Sequence, residues 1–263
     1  MELRLFQIDA FTTQVFRGNP AAVCPLAVWL PDEKMQAIAQ ENNLAETAFF
    51  VPRNGGFHLR WFTPRLEVDL CGHATLASAF VLFTELQPER KSVEFASRSG
   101  PLFVNRNGDT LTMDFPTWHL QSLNEPPAEL LAGLRNKPRE IFFVTSGKNY
   151  FAVYDSETEV VALRPDFAKL EQLHPNGVIV TAPGDKSDCA SRYFAPSYGI
   201  PEDPATGSIH SALTPFWAKR LNKKSIHARQ VSERGAELFC EDNGDRVLIS
   251  GRAVKYMEGM IYV

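Results

Sequence analysis

The sequence contains no long apolar segment and no recognisable secretion signal. No window approaches the run of about 18 apolar residues that a membrane helix needs. The N-terminal segment Met1–Phe6 has the alternation of a strand, and it lacks the long apolar core and small-residue cleavage site of a signal peptide. We therefore expect a cytoplasmic protein that has no membrane partner.

Cysteine and histidine are scarce and widely spaced. The chain has 4 cysteines and 6 histidines, and none of them forms a CxxC, HxxxH or HExxH motif. So few cysteines do not make a disulfide scaffold, and free thiols in a reducing compartment are expected. A metal site would have to be assembled from scattered residues, and we expect none. The cysteines are Cys24, Cys71, Cys189 and Cys240.

Basic clusters are also absent. The formal net charge is -4, the pI is about 5.9, and no run of Lys and Arg is longer than two residues, as in Lys223-Lys224. A protein that binds nucleic acid usually presents a basic face. We therefore expect no nucleic-acid partner.

Length and composition favour a two-lobed globular protein. The chain has 263 residues, of which 44% are hydrophobic and 22% charged, and this length suits two lobes of about 100–150 residues each. A loop rich in Pro, Asn and Ser around Pro116–Pro127 separates two similar halves. We expect an N-terminal lobe of residues 1–117 and a C-terminal lobe of residues 118–263, whose last strand can pack on the first lobe.

The first half of the chain mixes strands with two helices. The apolar patterns predict strands over Leu3–Ile8, Thr47–Val51 and Phe57–Thr63. Pro31, followed by acidic residues, predicts the start of a helix. The small-residue segment His73–Phe83 predicts a helix that is apolar almost all round and therefore buried.

The second half repeats this order of elements. Strands over Ile141–Thr145, Phe151–Tyr154 and Gly177–Thr181 precede a small-residue helix from about Ser208 to Leu221. The chain lacks the regular strand–helix alternation of a doubly wound sheet. The prediction is therefore an α+β fold.

Two stretches of sequence occur once in each half. Arg60-Trp61-Phe62-Thr63-Pro64 is echoed by Arg192-Tyr193-Phe194-Ala195-Pro196. Downstream, Asp69-Leu70-Cys71-Gly72-His73 is matched by Asp203-Pro204-Ala205-Thr206-Gly207-Ser208. Each half thus runs through a strand, a turn with Asp and Gly, and a small-residue helix, which predicts two equivalent units.

The glycines of these turns, Gly72 and Gly207, lie at the predicted helix starts. Unpaired backbone N–H groups and the positive end of the helix dipole favour an anion there. A glycine lets a ligand approach the backbone closely, although it also suits a tight turn. Because the arrangement occurs twice, we favour a role in binding a carboxylate.

Four ordered motifs make the chain similar to a known family. They are Gly18-Asn19-Pro20-Ala21-Ala22-Val23, Asn43-Leu44-Ala45-Glu46-Thr47, Cys71-Gly72-His73-Ala74-Thr75 and Asp203-Pro204-Ala205-Thr206-Gly207-Ser208. Together they resemble the PhzF-like phenazine-biosynthesis family over nearly the whole chain. The resemblance implies the diaminopimelate-epimerase fold, in which two pseudo-symmetric lobes each wrap a curved, mostly antiparallel sheet around a central helix, with the site between them. It also implies a cofactor-independent isomerase, a small carboxylate-bearing substrate and a homodimer.

The resemblance also implies roles for individual residues. A glutamate is the acid/base in that family, and Glu46 takes this place in Asn-Leu-Ala-Glu-Thr. His73 and Asp203 match further site positions and join Glu46 as implied catalytic residues. A carboxylate can carry a proton between two substrate atoms without a cofactor. We expect the helix start to favour the neutral form of His73. The implied substrate-binding residues are Asn19, Gly72, Gly207 and Ser208.

Structural roles are also open to several of these residues. Asn19 suits an Asx turn, and Asp203 and Ser208 suit a turn or a helix cap. Cys71 is expected to be a small buried residue, because no partner base precedes it. The related diaminopimelate epimerases use two opposed cysteines, whereas the comparable turn of the second half has Ala205, which disfavours racemisation by two thiols.

Part of the family pattern is weak. The segment Gln230–Gly235 matches the family's later glutamine-and-glycine motif only loosely, which leaves the substrate open. Two other functions stay open beside the proton-shifting isomerase. One is an epimerase or racemase of an amino-acid-like molecule, and the other is a binding protein that has the same fold and no turnover.

Overall fold

The computed structural model describes all 263 residues, which divide into two compact units. Unit 1 comprises Met1–Asp114 and Ser250–Val263, and unit 2 comprises Phe115–Ile249. No helix has both the length and the apolar character to cross a membrane.

The strands are β1 (Glu2–Ala10), β2 (Asn19–Pro25), β3 (Glu46–Arg53), β4 (Gly56–Phe62), β5 (Glu67–Val68), β6 (Ser92–Ser97), β7 (Gly100–Asn107), β8 (Thr110–Pro116), β9 (Leu120–Ser122), β10 (Glu140–Val144), β11 (Asn149–Val153), β12 (Gly177–Pro183), β13 (Cys189–Ala195), β14 (Ile200–Asp203), β15 (Ser225–Gln230), β16 (Ala236–Asp242), β17 (Arg246–Gly251) and β18 (Ala253–Tyr262). The helices are α1 (Asp32–Asn42), α2 (Gly72–Val81), α3 (Ala128–Leu134), α4 (Glu157–Ala162), α5 (Phe167–Glu171) and α6 (His210–Leu221).

The sheet of unit 1 places strands that are distant in sequence side by side. β1 pairs antiparallel with both β18 and β2, β2 runs parallel to β3, and β3 pairs antiparallel with β4. β4 then runs parallel to β6, and antiparallel pairs join β6 to β7 and β7 to β8. β5 pairs with the end of β4. Helix α2 packs against β1, β2 and β3.

Unit 2 repeats this pairing strand by strand. β10 pairs antiparallel with β11, β11 runs parallel to β12, β12 pairs antiparallel with β13, β13 runs parallel to β15, and β15 pairs antiparallel with β16. β14 pairs with the end of β13, as β5 does with β4. Helix α6 packs against β15 and β16. The predicted internal repeat and the predicted α+β class are both confirmed.

Helix α2 is buried along nearly its whole length, as its small residues predict. The hydroxyl groups of Thr75 and Ser78 donate to the carbonyl oxygens of Cys71 and Ala74, one turn back in the chain. These bonds satisfy polar groups that would otherwise be left unpaired in the core. The predicted helix ends at Phe83, whereas α2 ends at Val81 and the chain continues as a π-helical turn over Leu82–Leu86.

Helix α6 begins at His210, two residues later than predicted, because Ser208 and Ile209 form a turn. Pro215 lies inside α6 and has no N–H to donate to Ser211 four residues earlier. The Ser211 carbonyl instead accepts a hydrogen bond of 2.9 Å from the backbone N–H of Trp118. An outside donor thus lets the helix continue through the proline.

Three short helices of unit 2, α3, α4 and α5, were not among the predicted elements. Two of them carry a sequence signal for a helix start. Ser156 caps α4 by accepting from the Glu159 N–H, and Asp166 caps α5 by accepting from the Lys169 N–H. Each helix is seven residues or shorter, which is too short for a clear apolar period.

Candidate active site

Glu46 is a buried carboxylate at the first position of strand β3. Only 8% of the residue is exposed. Parallel pairing with β2 sets Glu46 opposite Ala21, and the buried residues Thr47–Val51 that follow hold the strand in the core of unit 1. Burial of a carboxylate is costly unless a partner compensates. The position of Glu46 therefore points to a specific partner.

That partner is His73, at the second position of helix α2. Its Nε2 atom lies 3.1 Å from Glu46 Oε2. No group of the chain forms a well-aligned hydrogen bond with Oε2, so the contact is close but bent. Only 5% of His73 is exposed. Strand β3 and the start of α2 thus bring two titratable groups together inside unit 1.

Cys71 is buried, as predicted, but it also contacts His73. Its Sγ atom is 3.5 Å from His73 Nδ1 and 4.0 Å from Nε2. Cys71 is in an extended conformation immediately before α2, and His73 lies in the first turn. This change of backbone direction turns the two side chains toward each other.

Asn19 also contacts Nδ1, the His73 ring nitrogen that does not face Glu46. Its Nδ2 atom is 3.2 Å from His73 Nδ1, and the residue is fully buried at the start of β2. In this orientation the Asn19 amide donates to Nδ1, an arrangement that corresponds to a neutral ring with its proton on Nε2. A second proton on Nδ1 would require Asn19 to turn its amide oxygen toward the ring.

Backbone geometry before Asn19 explains the preceding glycine. Gly18 has a φ of +63°, and a Cβ there would lie 2.1 Å from the carbonyl oxygen of Ala10. Only glycine combines this left-handed conformation with so close an approach. The chain therefore enters β2 through a turn that fixes the position of Asn19.

The titration of the cluster differs from our expectation. Burial disfavours the charged ring, but the Cys71 sulfur, where it is a thiolate, and the Glu46 carboxylate outweigh it and raise the pKa of His73 well above its ordinary value. The direction of this shift is opposite to the one expected from the helix start. Burial, assisted by the Glu46 carboxylate, raises the pKa of Cys71 to about 11, so its thiol is protonated at neutral pH.

In unit 2, the predicted site residue Asp203 ends strand β14. The residue is 8% exposed, and its carboxylate accepts a short hydrogen bond from the Thr206 hydroxyl. Gln230 supports the same turn. Its side chain donates to the Asp203 carbonyl over 2.7 Å and accepts from the Thr206 N–H over 2.8 Å. Sequence reasoning assigned no role to Thr206 or Gln230 individually, although Gln230 begins the loosely matching segment.

Gly207 and Ser208 follow in the turn that leads into α6. The N–H groups at such a helix start have no intrahelical acceptor. His210 fixes the turn, because its Nδ1 lies 3.0 Å from the Thr206 carbonyl oxygen. Neither Gly72 nor Gly207 has a positive φ. The backbone conformation itself therefore does not require glycine at either position.

Each unit contains one arginine–glutamate clamp, in which an arginine makes two parallel hydrogen bonds to a glutamate. Arg60 donates from Nε and Nη2 to the two carboxylate oxygens of Glu67, at 2.7 and 2.8 Å. Arg192 makes the same two bonds to Glu202, both at 2.8 Å. Glu67 lies on β5 and Glu202 on β14, the strands that lead to the site turns. The repeated Arg residues were visible in the sequence, but their partners were not.

The repeat does not extend to Glu46. In unit 1, Arg60 pairs with Phe49, and Glu46 lies three residues before Phe49. In unit 2, Arg192 pairs with Val180, and Gly177 lies three residues before Val180. A Cβ at Gly177 would lie 2.3 Å from the Tyr193 hydroxyl oxygen. Unit 2 therefore has neither a carboxylate nor the space for one at this position.

Comparison with known proteins assigns the chain to a family. Residues 8–259 match the family model described as phenazine biosynthesis-like protein, PhzC-PhzF. The chain belongs to this family, as its motifs predict. It is 49% identical over 263 residues to a Pseudomonas aeruginosa protein named uncharacterized isomerase, with 100% of each chain covered. It is 38% identical to the Bos taurus phenazine biosynthesis-like domain-containing protein, with 99% of each covered.

A solved structure shows the same fold. The crystal structure of a PhzF-family phenazine biosynthesis protein from Enterococcus faecalis matches with a TM-score of 0.95 and 45% identity, and 100% of each chain is covered. The predicted fold, with its repeated sheet and central helix in each unit, is therefore that of the PhzF family.

Proposed function

We propose that this protein is a cofactor-independent isomerase that shifts a proton on a small carboxylate-bearing substrate, with Glu46 as the acid/base. One observation carries the proposal most directly: the buried Glu46 carboxylate lies 3.1 Å from His73 Nε2 and has no well-aligned hydrogen bond at Oε2. A carboxylate with an unsatisfied oxygen can take up a proton and return it. The name of the P. aeruginosa relative supports the isomerase class.

His73 supports this chemistry as a second proton-carrying group. Its ring lies between Glu46, Cys71 and Asn19, so its orientation is fixed. A charged or Nε2-protonated ring facing the carboxylate stabilises the anionic form of Glu46, the form that removes a proton.

The remaining predicted site residues serve the substrate in this proposal. The helix-start amides at Gly72, and separately those at Gly207 and Ser208, are suited to a carboxylate group. Asp203, held by Thr206, orients a polar group of the substrate. Asn19 acts through His73. We also keep the homodimer as a proposal.

An epimerase is the second candidate, and Cys71 favours it. The buried thiol shares the cluster with Glu46 and His73 and is protonated at neutral pH. Inversion at a single carbon needs one group that removes a proton and another that donates one to the opposite face. The donor atoms of Glu46 and Cys71 lie within 4.8 Å of each other, so these groups would have to move apart around the substrate. Deuterium entering that carbon from both faces would favour the epimerase, and entry from one face the isomerase.

Proton exchange tests the role of Glu46 before the physiological substrate is known. The protein is incubated in D₂O with a panel of small carboxylic acids, and deuterium incorporation is followed by mass spectrometry and NMR. We expect Glu46→Gln to lower incorporation by at least about 100-fold, in the range that general acid–base groups contribute. Glu157→Gln is the matched control, because Glu157 is 9% exposed and lies in unit 2. Full exchange by Glu46→Gln on an acid that the wild type labels would end the proposal.

A further inference from the structure

We propose that Glu46, Cys71 and His73 form a binding site for one thiophilic divalent cation of the Zn²⁺ class. The three residues are buried, and their donor atoms all lie within 4.8 Å of one another. No metal-binding spacing in the sequence predicts this site, because the carboxylate comes from β3 while the thiol and the imidazole come from the start of α2.

The distances are close to those of a metal centre. Zn²⁺ binds oxygen, nitrogen and sulfur at about 2.0–2.3 Å, so neighbouring ligands of a tetrahedral ion lie roughly 3.3–3.7 Å apart. His73 Nε2 is 3.1 Å from Glu46 Oε2 and 4.0 Å from Cys71 Sγ. All three donor atoms lie within 4.8 Å of one another, so small side-chain movements bring them onto one ion. The Cys71 sulfur, now 3.5 Å from Nδ1, has to move toward Nε2.

The kinds of donor select the class of cation. Thiolate and imidazole are preferred by Zn²⁺ and by softer ions such as Cd²⁺, whereas Mg²⁺ and Ca²⁺ require oxygen ligands. On binding, the Cys71 thiol proton and the Nε2 proton of the charged His73 ring both leave to solvent, and Nδ1 keeps its proton. The thiolate and the Glu46 carboxylate then balance the two charges of the ion, which reduces the cost of burying it.

Asn19 orients the imidazole from outside the site. Its side chain touches His73 Nδ1 and leaves Nε2 directed at Glu46. Metal-bound histidines almost always have such a partner on the other ring nitrogen. When Nε2 binds a metal, Nδ1 carries the proton, and the Asn19 amide must present its oxygen to it.

The internal repeat predicts a stoichiometry of one cation per chain. The positions of unit 2 that correspond to Glu46 and His73 are occupied by Gly177 and Ser208, and the turn comparable to that of Cys71 has Ala205 and Thr206. None of these offers a thiol, an imidazole or a carboxylate. Three protein ligands also leave a fourth position on the ion for water.

A bound cation and the substrate should exclude each other at this site. This consequence rests on the proposed function, because it assumes that Glu46 is the acid/base. The metal-bound carboxylate cannot accept a substrate proton. The binding itself does not depend on that function, and it is measured without any substrate.

Cadmium titration tests the site directly. Reduced full-length protein is titrated with Cd²⁺, and the ultraviolet thiolate-to-cadmium charge-transfer absorbance is followed, while Zn²⁺ affinity is measured by calorimetry. We expect the wild type to bind one equivalent of each ion, and Mg²⁺ to produce no signal. Cys71→Ala should abolish the absorbance and weaken Zn²⁺ binding by at least about 100-fold, and Glu46→Gln should weaken it by at least about tenfold.

Two control variants make the result decisive. Cys24→Ala removes another buried thiol of unit 1, and His227→Ala removes a partly exposed histidine that pairs with Glu237. Both should keep the absorbance and the affinity. A wild type without the absorbance, a Cys71→Ala variant that keeps it, or equal loss in Cys24→Ala would overturn the proposal. Any of these outcomes would leave the exchange test of Glu46 unaffected.

Discussion

Arg192 binds Glu202 through two parallel hydrogen bonds of 2.8 Å, from Nε and Nη2 to the two carboxylate oxygens. The same arginine donates from Nη1 to the carbonyl oxygens of Val160 and Leu163, at the end of α4. A single guanidinium thus joins β13, β14 and α4, and β14 ends at Asp203. Charge-assisted bonds with this fork geometry are the strong ones.

Glu202→Gln should destabilise the protein because it leaves the Arg192 guanidinium facing an amide nitrogen. Both side chains are mostly buried, so we expect a loss of about 2–4 kcal/mol in the free energy of unfolding, measured by urea denaturation. Asp155→Asn is the control, since the Arg139–Asp155 pair is more than half exposed and should cost about 1 kcal/mol or less. Similar losses in the two variants would contradict the assignment of the Arg192 clamp.

The buried His210 should make the folded protein less stable as the pH falls. Burial lowers the pKa of His210 to about 4, although hydrogen bonds to the Thr206 and Gly207 carbonyls oppose it. Below about pH 6.5 the unfolded chain therefore gains a proton that the folded protein does not accept until about pH 4. The free energy of unfolding should fall by about 3 kcal/mol over this interval because of this residue.

His210→Asn tests this because an amide can still donate near the position of Nδ1. The variant should lose less stability than the wild type between pH 6.5 and pH 4, as measured by denaturation at several pH values. The exposed His119 provides the control, and His119→Gln should follow the wild-type curve. Parallel curves for wild type and His210→Asn would show that His210 is not held neutral.

Glu46 should control the titration of His73. Removing the carboxylate charge in Glu46→Gln should lower the pKa of His73, measured by NMR of the imidazole nitrogens, because Glu46 is one of the two groups that raise it. The folded-state pKa lies above the unfolded value, so the pair stabilises the protein fully below about pH 6.5 and loses this effect as pH rises through the raised pKa. An unchanged His73 titration in Glu46→Gln would rule out this coupling.

Gly18→Ala should be strongly destabilising for a reason that goes beyond its φ angle. Gly108 has nearly the same φ, +62° against +63°, but a Cβ at Gly108 meets nothing within 4 Å. Gly108→Ala should therefore cost only the conformational strain of about 1–2 kcal/mol. Gly18→Ala adds the collision with Ala10 and Thr12 and should cost at least about 3 kcal/mol by thermal or urea denaturation. Equal costs would mean that the turn before Asn19 can relax.

Gln230→Leu should loosen the Asp203–Thr206 turn. The substitution leaves the partly buried Thr206 N–H without its acceptor and the Asp203 carbonyl without this donor, at a cost of about 1–3 kcal/mol. Hydrogen exchange at the Thr206 amide should accelerate more than exchange in the strands of unit 2. Gln172→Leu is an exposed control in the same unit and should leave Thr206 exchange unchanged. Slow exchange at Thr206 in Gln230→Leu would mean that the turn is stable without this side chain.

The amino-acid sequence alone was sufficient for the family, the α+β class and most strands. These features depend on local patterns, such as the apolar residues of β3 and the small residues of α2. The repeated Arg60 and Arg192 segments revealed the two equivalent units, because each sits at the same place in its sheet. Short helices such as α4 and the late start of α6 escaped prediction, because capping bonds and turns of a few residues leave weak periodic signals.

Tertiary structure decided the chemistry of the site. Glu46 and His73 are 27 residues apart in sequence, and Asn19 is 54 residues from His73, so only the packing of α2 against β2 and β3 shows that they touch. The same packing reversed the expected direction of the His73 pKa shift, since a sulfur and a buried carboxylate lie at contact distance from the ring. Motifs record which side chains the chain carries, but distance and burial set their protonation and their partners, and both arise only when the strands have paired.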